Sequence, residues 1–211
     1  MLAEPRAAAP RDSDPAGPPQ DLESLWPKVL ALGDKYRYDA AHAQQVSRLA
    51  GRLFDALAPI HGLAAPWRTP LQHAALLHDI GYFVRARGHH RHSRYLIRHD
   101  ALAADYPAPW RELVALVACN HRRRLRRAPR GWSREHRAAA TGLAALLRIA
   151  DGLDYGHNGA ADLGSVATEQ GRLRIEVSGV RLGRLEPVLR KKSGLFVRTF
   201  ALPVGFVAAA P

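Results

Sequence analysis

In DAAHAQQVSRLAGRLFDAL, which begins at Asp39, apolar residues recur at steps of three and four: Ala43, Val46, Ala50, Leu53 and Leu57. That period belongs to a helix with one buried face, and Asp39 stands where an N-cap belongs. TPLQHAALLHDIG predicts a second helix, with Thr69 as N-cap, Pro70 in the first turn and Gly81 as its stop. A third is expected from about His90 to Leu102. PAPWRELVALVACNH carries Trp110, Leu113, Val114, Val117 and His121 on one stripe. SREHRAAATGLAALLRIADGLDY has Ser133 as N-cap and an apolar face through Leu143, Leu147 and Ala150.

After Asn158 the period changes. Leu173, Ile175 and Val177 alternate with Arg172, Arg174 and Glu176, which is strand spacing. Gly171 predicts a hairpin turn from a first strand near 165–168. LEPVLRKKSGLFVRTF reads as a short helix and ALPVGFV as a last strand. The expected fold is mainly α: a helical bundle over residues 21–160, then a small α/β appendage over 161–211. Residues 1–20, rich in Pro, Ala, Gly and Asp, read as a disordered tail. There is no internal repeat, no Walker loop and no dinucleotide fingerprint.

Composition narrows the setting. With 211 residues and 47% apolar content, one good-sized core can form. The single cysteine, Cys119, excludes an internal disulfide and a zinc finger, and fits a reducing cytoplasm. No apolar run reaches membrane-spanning length, and the acid-bearing N-terminus is no secretory signal. The expectation is a cytoplasmic protein with no membrane partner. A net charge of +12 attracts phosphates, nucleotides, polyphosphate or nucleic acid without choosing among them. An Arg- and Ala-rich genome accounts for part of that charge.

The histidines and aspartates change the picture more. His42 lies four residues before Val46, and His78 four after Ala74, so both face inward. Asp79 sits beside His78 at a helix end, His121 extends the Trp110 stripe, and Asp151 is four after Leu147. Burying ionisable groups is costly unless they are paired or bind a metal. Any one of them alone reads as a hydrogen-bonded core residue. Together, the order His, His-Asp, Asp resembles the ligand order of the HD-domain superfamily of metal-dependent phosphohydrolases. That resemblance implies that His42, His78, Asp79 and Asp151 bind one or two divalent ions (Mn, Fe, Co, Ni, Zn or Mg), a mixed donor set such ions accept.

A narrower resemblance rests on LLHDIGYFVRARGHHRHSRYLI, NHRRR, LLRIADGLDYGHN and LEPVLRKKSGLFVRTFALPV. These are similar to the C-terminal HD domain of the exopolyphosphatase and guanosine pentaphosphate phosphohydrolase (Ppx/GppA) family, over residues 25–207. In that family exopolyphosphate hydrolysis belongs to N-terminal actin-like domains, for which this chain has no room. It looks like the HD part standing alone, so the exopolyphosphatase reaction is not expected. The resemblance implies phosphoester hydrolysis by a metal-activated water, with His78 and Asp79 as the catalytic pair. Asp79 would bridge two ions or accept the water's proton. A second ion would use His121 and one of His89, His92 or His90, in that order of preference. For each of those histidines a surface or capping role stays open.

Several relatives carry Lys where this chain has Tyr82, which supplies no positive charge. Arg85 and Arg87 are candidates to replace it, and a weakened or absent hydrolase is the alternative. The run from His121 to Arg137 is the densest basic stretch. Arg122, Arg123 and Arg124 there could gather anions at a pocket mouth, or the run is a solvated loop. Lys191 and Lys192 are weaker anion candidates, more readily the exposed face of a short helix. The competing function is a non-catalytic or weakly catalytic module that holds polyphosphate or nucleic acid through its arginines. Trp132 alone makes no aromatic platform for bases. A third reading is a regulatory subunit docking through the appendage. Expected partners are a phosphate-containing small molecule or polyphosphate, and a homodimer is compatible with the sequence.

Overall fold

The computed structural model describes residues 22–209, so the tail expected over 1–20 lies outside the described residues. Seven helices come first: α1 (Trp26–Lys35), α2 (Ala40–Ala56), α3 (Ala58–His61), α4 (Arg68–Leu77), α5 (His89–His99), α6 (Ala108–Cys119) and α7 (Arg134–Leu153). β1 (Asp162–Glu169), β2 (Arg172–Ser178), α8 (Leu182–Phe200) and β3 (Val204–Ala208) follow. The protein is mainly helical with one small C-terminal sheet, as the patterning predicts.

The local signals act mostly as expected. The Asp39 side chain accepts a hydrogen bond from the His42 N–H at 3.2 Å, and Ser133 accepts one from His136 N–H at 3.1 Å. Each satisfies a donor that the first helical turn leaves open. Two signals act differently. Helix α4 starts at Arg68, so Thr69 lies inside it, and its hydroxyl donates to the Glu23 carboxylate instead of capping. Gly81 does not stop α4, which ends at Leu77; it lies in a 3₁₀ turn over Ile80–Phe83. A Cβ on Gly81 would stand 2.1 Å from the His89 carbonyl oxygen and 2.5 Å from Ser93 N. Glycine is there because α5 passes too close for any side chain.

Helix α4 runs between α2 and α6, and α7 closes the other side. Val46, Leu49, Leu53, Leu71, Leu113, Leu143 and Leu147 meet there with no exposed surface. Each such side chain contributes roughly 1.5–3 kcal/mol by leaving water. This dry core fixes where the helices end, and so where their polar ends point.

β1 and β2 form an antiparallel hairpin, with Gln170 and Gly171 both left-handed at φ 51° and 71°. That conformation matches the twist of the strands on either side. β2 is central and pairs in parallel with β3, setting Leu173 opposite Val204 and Ile175 opposite Phe206. The connection between them, α8, is not the short helix expected but one of 19 residues. It packs along α7 with Leu189 and Phe196 fully buried. Gly152 on α7 permits that approach, because a Cβ there would meet Lys192 and Leu189 at 3.2–3.3 Å. Arg48 and Arg52 of α2 pair with Asp162 and tie the sheet to the bundle. Among the described residues no helix is long and apolar enough to cross a membrane.

Candidate metal centre

Five helix ends of the bundle meet at one point. His42 comes from the first turn of α2, His78 and Asp79 from the end of α4, and Asp151 from the last turn of α7. His89 opens α5, and His121 follows α6. All but Asp79 are buried; Asp79 is 19% exposed at its side chain, toward a cavity. His42, His78 and Asp151 each offer a donor atom to one common point, and His78, Asp79 and His121 do so at another. His42 Nε2 and His78 Nε2 lie 3.8 and 3.9 Å from Asp151 Oδ1. Asp79 approaches His78 Nε2 at 3.4 Å, His89 Nε2 at 3.2 Å and His121 Nε2 at 3.5 Å.

The four rings share one protonation pattern. Nδ1–H donates to an oxygen in each: Asp154 Oδ2 at 2.8 Å for His42, and the carbonyls of Ala75, Ala86 and Ala118 at 2.6, 3.1 and 2.7 Å for His78, His89 and His121. Since those oxygens only accept, Nδ1 carries a proton in each ring, and Nε2 is the atom turned inward, where it can take a proton or a metal. This is how imidazoles that ligate metals are oriented by their outer partners. His42 Nε2, His78 Nε2 and Asp79 Oδ1 are buried with no hydrogen-bond partner. His89 Nε2 and His121 Nε2 stand 3.3 Å apart, and the Arg122 guanidinium donates to His89 Nε2 at 3.1 Å. The donor set therefore fits a divalent ion of the first transition row.

The field points the same way. Burial pulls the His78 imidazolium down, but the carboxylates of Asp79 and then Asp151 overcome it and push the group up to about 9. Burial raises Asp79, yet His78, His121 and His89 hold it far below the usual carboxylate range. Burial lowers both His42 and His121, and the neighbouring His78 lowers them further. The carboxylates favour positive charge at His78, and a metal ion would take the place of the proton there.

Ser93 of α5 locks the turn that carries the pair. Its hydroxyl accepts from Gly81 N–H at 2.9 Å and donates to the His78 carbonyl at 2.6 Å. His157 stacks on His42 with ring centroids 3.7 Å apart and donates to Asp39 at 2.9 Å. Arg148 donates to the carbonyls of Asn120 at 2.6 Å and Arg123 at 2.8 Å, which fixes the segment bearing His121.

A cavity of about 860 Å³ opens over Asp79, His89, His121 and Asp151. Arg122, Arg123, Lys191 and Lys192 line it, with Tyr82, Tyr155 and His157. Lys192 donates to Asp151 Oδ2, leaving Oδ1 to face His42 and His78. So Lys191 and Lys192 are not simply a solvent face, because α8 carries them into the site. Arg85, Arg87 and Arg124 are exposed and lie outside this cavity. Tyr82 stacks on His89 at 3.9 Å. His92 joins neither donor group, and His90 lies behind His89 and His121, with ring centroids at 6.0 and 6.4 Å. Asp154, Arg148, His157 and Tyr155 were not expected from the sequence. Asp154 carried a signal, since it sits one helical turn beyond Asp151.

The family model for the Ppx/GppA phosphatase, domain III, matches residues 27–181. A curated relative, the guanosine-5'-triphosphate,3'-diphosphate pyrophosphatase of Aeromonas hydrophila subsp. hydrophila, is 31% identical over 126 residues. That match covers 57% of this chain and 24% of the relative.

Proposed function

This chain belongs to the Ppx/GppA phosphatase domain III family, and from that premise we propose that it is a divalent-metal-dependent phosphohydrolase of the HD type. Its substrate is a nucleotide or another phosphate ester. The observation that supports this most is the set of four anchored imidazoles whose Nε2 atoms converge on Asp79 and Asp151. His42, His78, Asp79 and Asp151 would hold one ion, and His121 with His89 would serve a second. Such an ion supplies a lowered pKa for a coordinated water and offsets phosphate charge.

The chain's own groups do the rest. Arg122, Arg123 and Lys191 line the side from which a phosphate would enter, and their cationic donors suit its oxygens. Lys192 keeps Asp151 turned so that one oxygen faces the imidazoles. These cations take over the charge that Tyr82 does not provide; Tyr82 instead fixes the ring plane of His89. Hydrolysis adds the water oxygen to phosphorus, breaks the P–O ester bond and returns a proton to the leaving alcohol.

The test is turnover of p-nitrophenyl phosphate, bis-p-nitrophenyl phosphate, nucleotides and polyphosphate, with Mn, Co, Ni, Zn or Mg added singly. Metal-dependent release of product that disappears in Asp79→Ala is the expected result. Tight, salt-sensitive polyphosphate binding with no turnover under any metal would instead favour a binding module.

A further inference from the structure

We propose that the Arg-rich segment after α6 builds a second anion site, separate from the histidine-lined cavity, which takes a compact polyanion bearing several phosphate charges and no base. A cavity of about 630 Å³ opens between α5, α6, α7 and residues 125–130, and it shares no lining residue with the first. The basic run is thus divided. Arg122 and Arg123 serve the histidine side, while Arg126, Arg127 and Arg130 serve this one. Arg94 and Arg98 enter from α5, and Arg137 from α7.

Six guanidiniums face a single carboxylate, Glu112. Glu112 is already shared by Arg94 and Arg98, the latter at 2.5 Å. Arg126, Arg127 and Arg130 meet no carboxylate among the described residues. Arg94 Nε is buried without a hydrogen-bond partner. Like charges gathered in a concavity repel one another, and a multiply charged anion relieves them.

The walls are fixed in advance. Arg126 N–H donates to Asn120 Oδ1 at 2.7 Å, and Asn120 Nδ2 donates back to the Arg126 carbonyl at 3.1 Å. Arg137 donates to the carbonyls of Trp132 at 2.7 Å and Arg130 at 3.2 Å. A loop pinned at both ends loses little freedom on binding. No aromatic side chain lines this cavity, whereas Tyr82 and Tyr155 line the other. Stacking of a base on an aromatic ring is therefore not available here, and recognition rests on charge and on the guanidinium fork. Asn120, which clamps Arg126, directly precedes His121, and its carbonyl accepts from Arg148 in the wall of the first cavity. An anion held by Arg126 thus acts on the segment that sets His121.

The assignment does not depend on a metal and is tested without one. Calorimetric titration of tripolyphosphate into the full chain in EDTA should give saturable binding. Arg126→Gln/Arg130→Gln should weaken it by about tenfold or more, the loss expected for charged hydrogen bonds. Arg85→Gln/Arg87→Gln, the same charge change at residues that line neither cavity, should leave it within about twofold, and AMP should not displace the ligand. Arg127→Gln, a single exposed change, gives a second reading should the double variant fold poorly. No saturable binding, or an equal loss in both double variants, would overturn the proposal.

Discussion

His73 lies within α4 and His78 five residues on, just past its end, and neither has exposed surface. Their surroundings are opposite. His73 meets the Tyr106 hydroxyl at 3.0 Å and the edge of Trp26 at 4.4 Å, with no carboxylate in contact. Burial pulls its imidazolium down to about 4, so it stays neutral in the core. His78 sits between Asp79 and Asp151, which carry its proton up to about 9. Burial alone therefore does not mark a metal-type histidine. What marks it is a carboxylate field, together with an Nδ1–H already committed to a carbonyl.

This contrast can be broken from either side. The largest effect is expected from Asp79→Ala, which removes the carboxylate shared by three imidazoles. Turnover should fall by about 10²–10³-fold, the several kcal/mol a metal contributes, while His73→Gln leaves it near the wild-type level. On the His73 side the effect is on stability. The folded group titrates about 4 against an ordinary 6.5, so between those values the unfolded chain binds more protons. Stability should fall as pH drops from about 6.5 to about 4, by roughly 3 kcal/mol in total. Urea melts of His73→Gln across that range should lack this part of the slope.

Smaller changes sharpen the comparison. Asp154→Asn weakens the carboxylate that orients His42 and should cost about 10–100-fold in metal affinity, read by competition with a chelating dye. Lys192→Met removes the cation on Asp151. The KM for a phosphate ester should rise about tenfold, in line with a charged hydrogen bond, with metal still bound.

Much of this architecture was legible in the residues. Asp39 and Ser133 cap where a cap is needed, and the alternation from Leu173 to Val177 is the central strand. His42, His78 and Asp151 stood out because each interrupts an apolar face. Apolar spacing alone does not separate His78 from the equally buried His73; His78 stood out through the order His, His-Asp, Asp along the chain. Three features were hidden for a different reason. Lys192 reaches Asp151 across 41 residues, and Asp154 reaches His42 across 112. Such pairings depend on how α7, α8 and α2 pack, which no local period encodes. The third is the division of the basic run between two cavities, which follows from where Asn120 pins the loop.

Under the proposed function, the histidine cluster around Asp79 and Asp151 binds a divalent ion. Elemental analysis after loading with Mn and exhaustive dialysis tests it most directly, on the wild-type chain, Asp79→Ala and His73→Gln. Ion should be retained by the wild type and by His73→Gln, at one or two per chain to match the two donor groups, and lost from Asp79→Ala. A wild-type chain that retains no ion, or an Asp79→Ala chain that retains as much as the wild type, would contradict it.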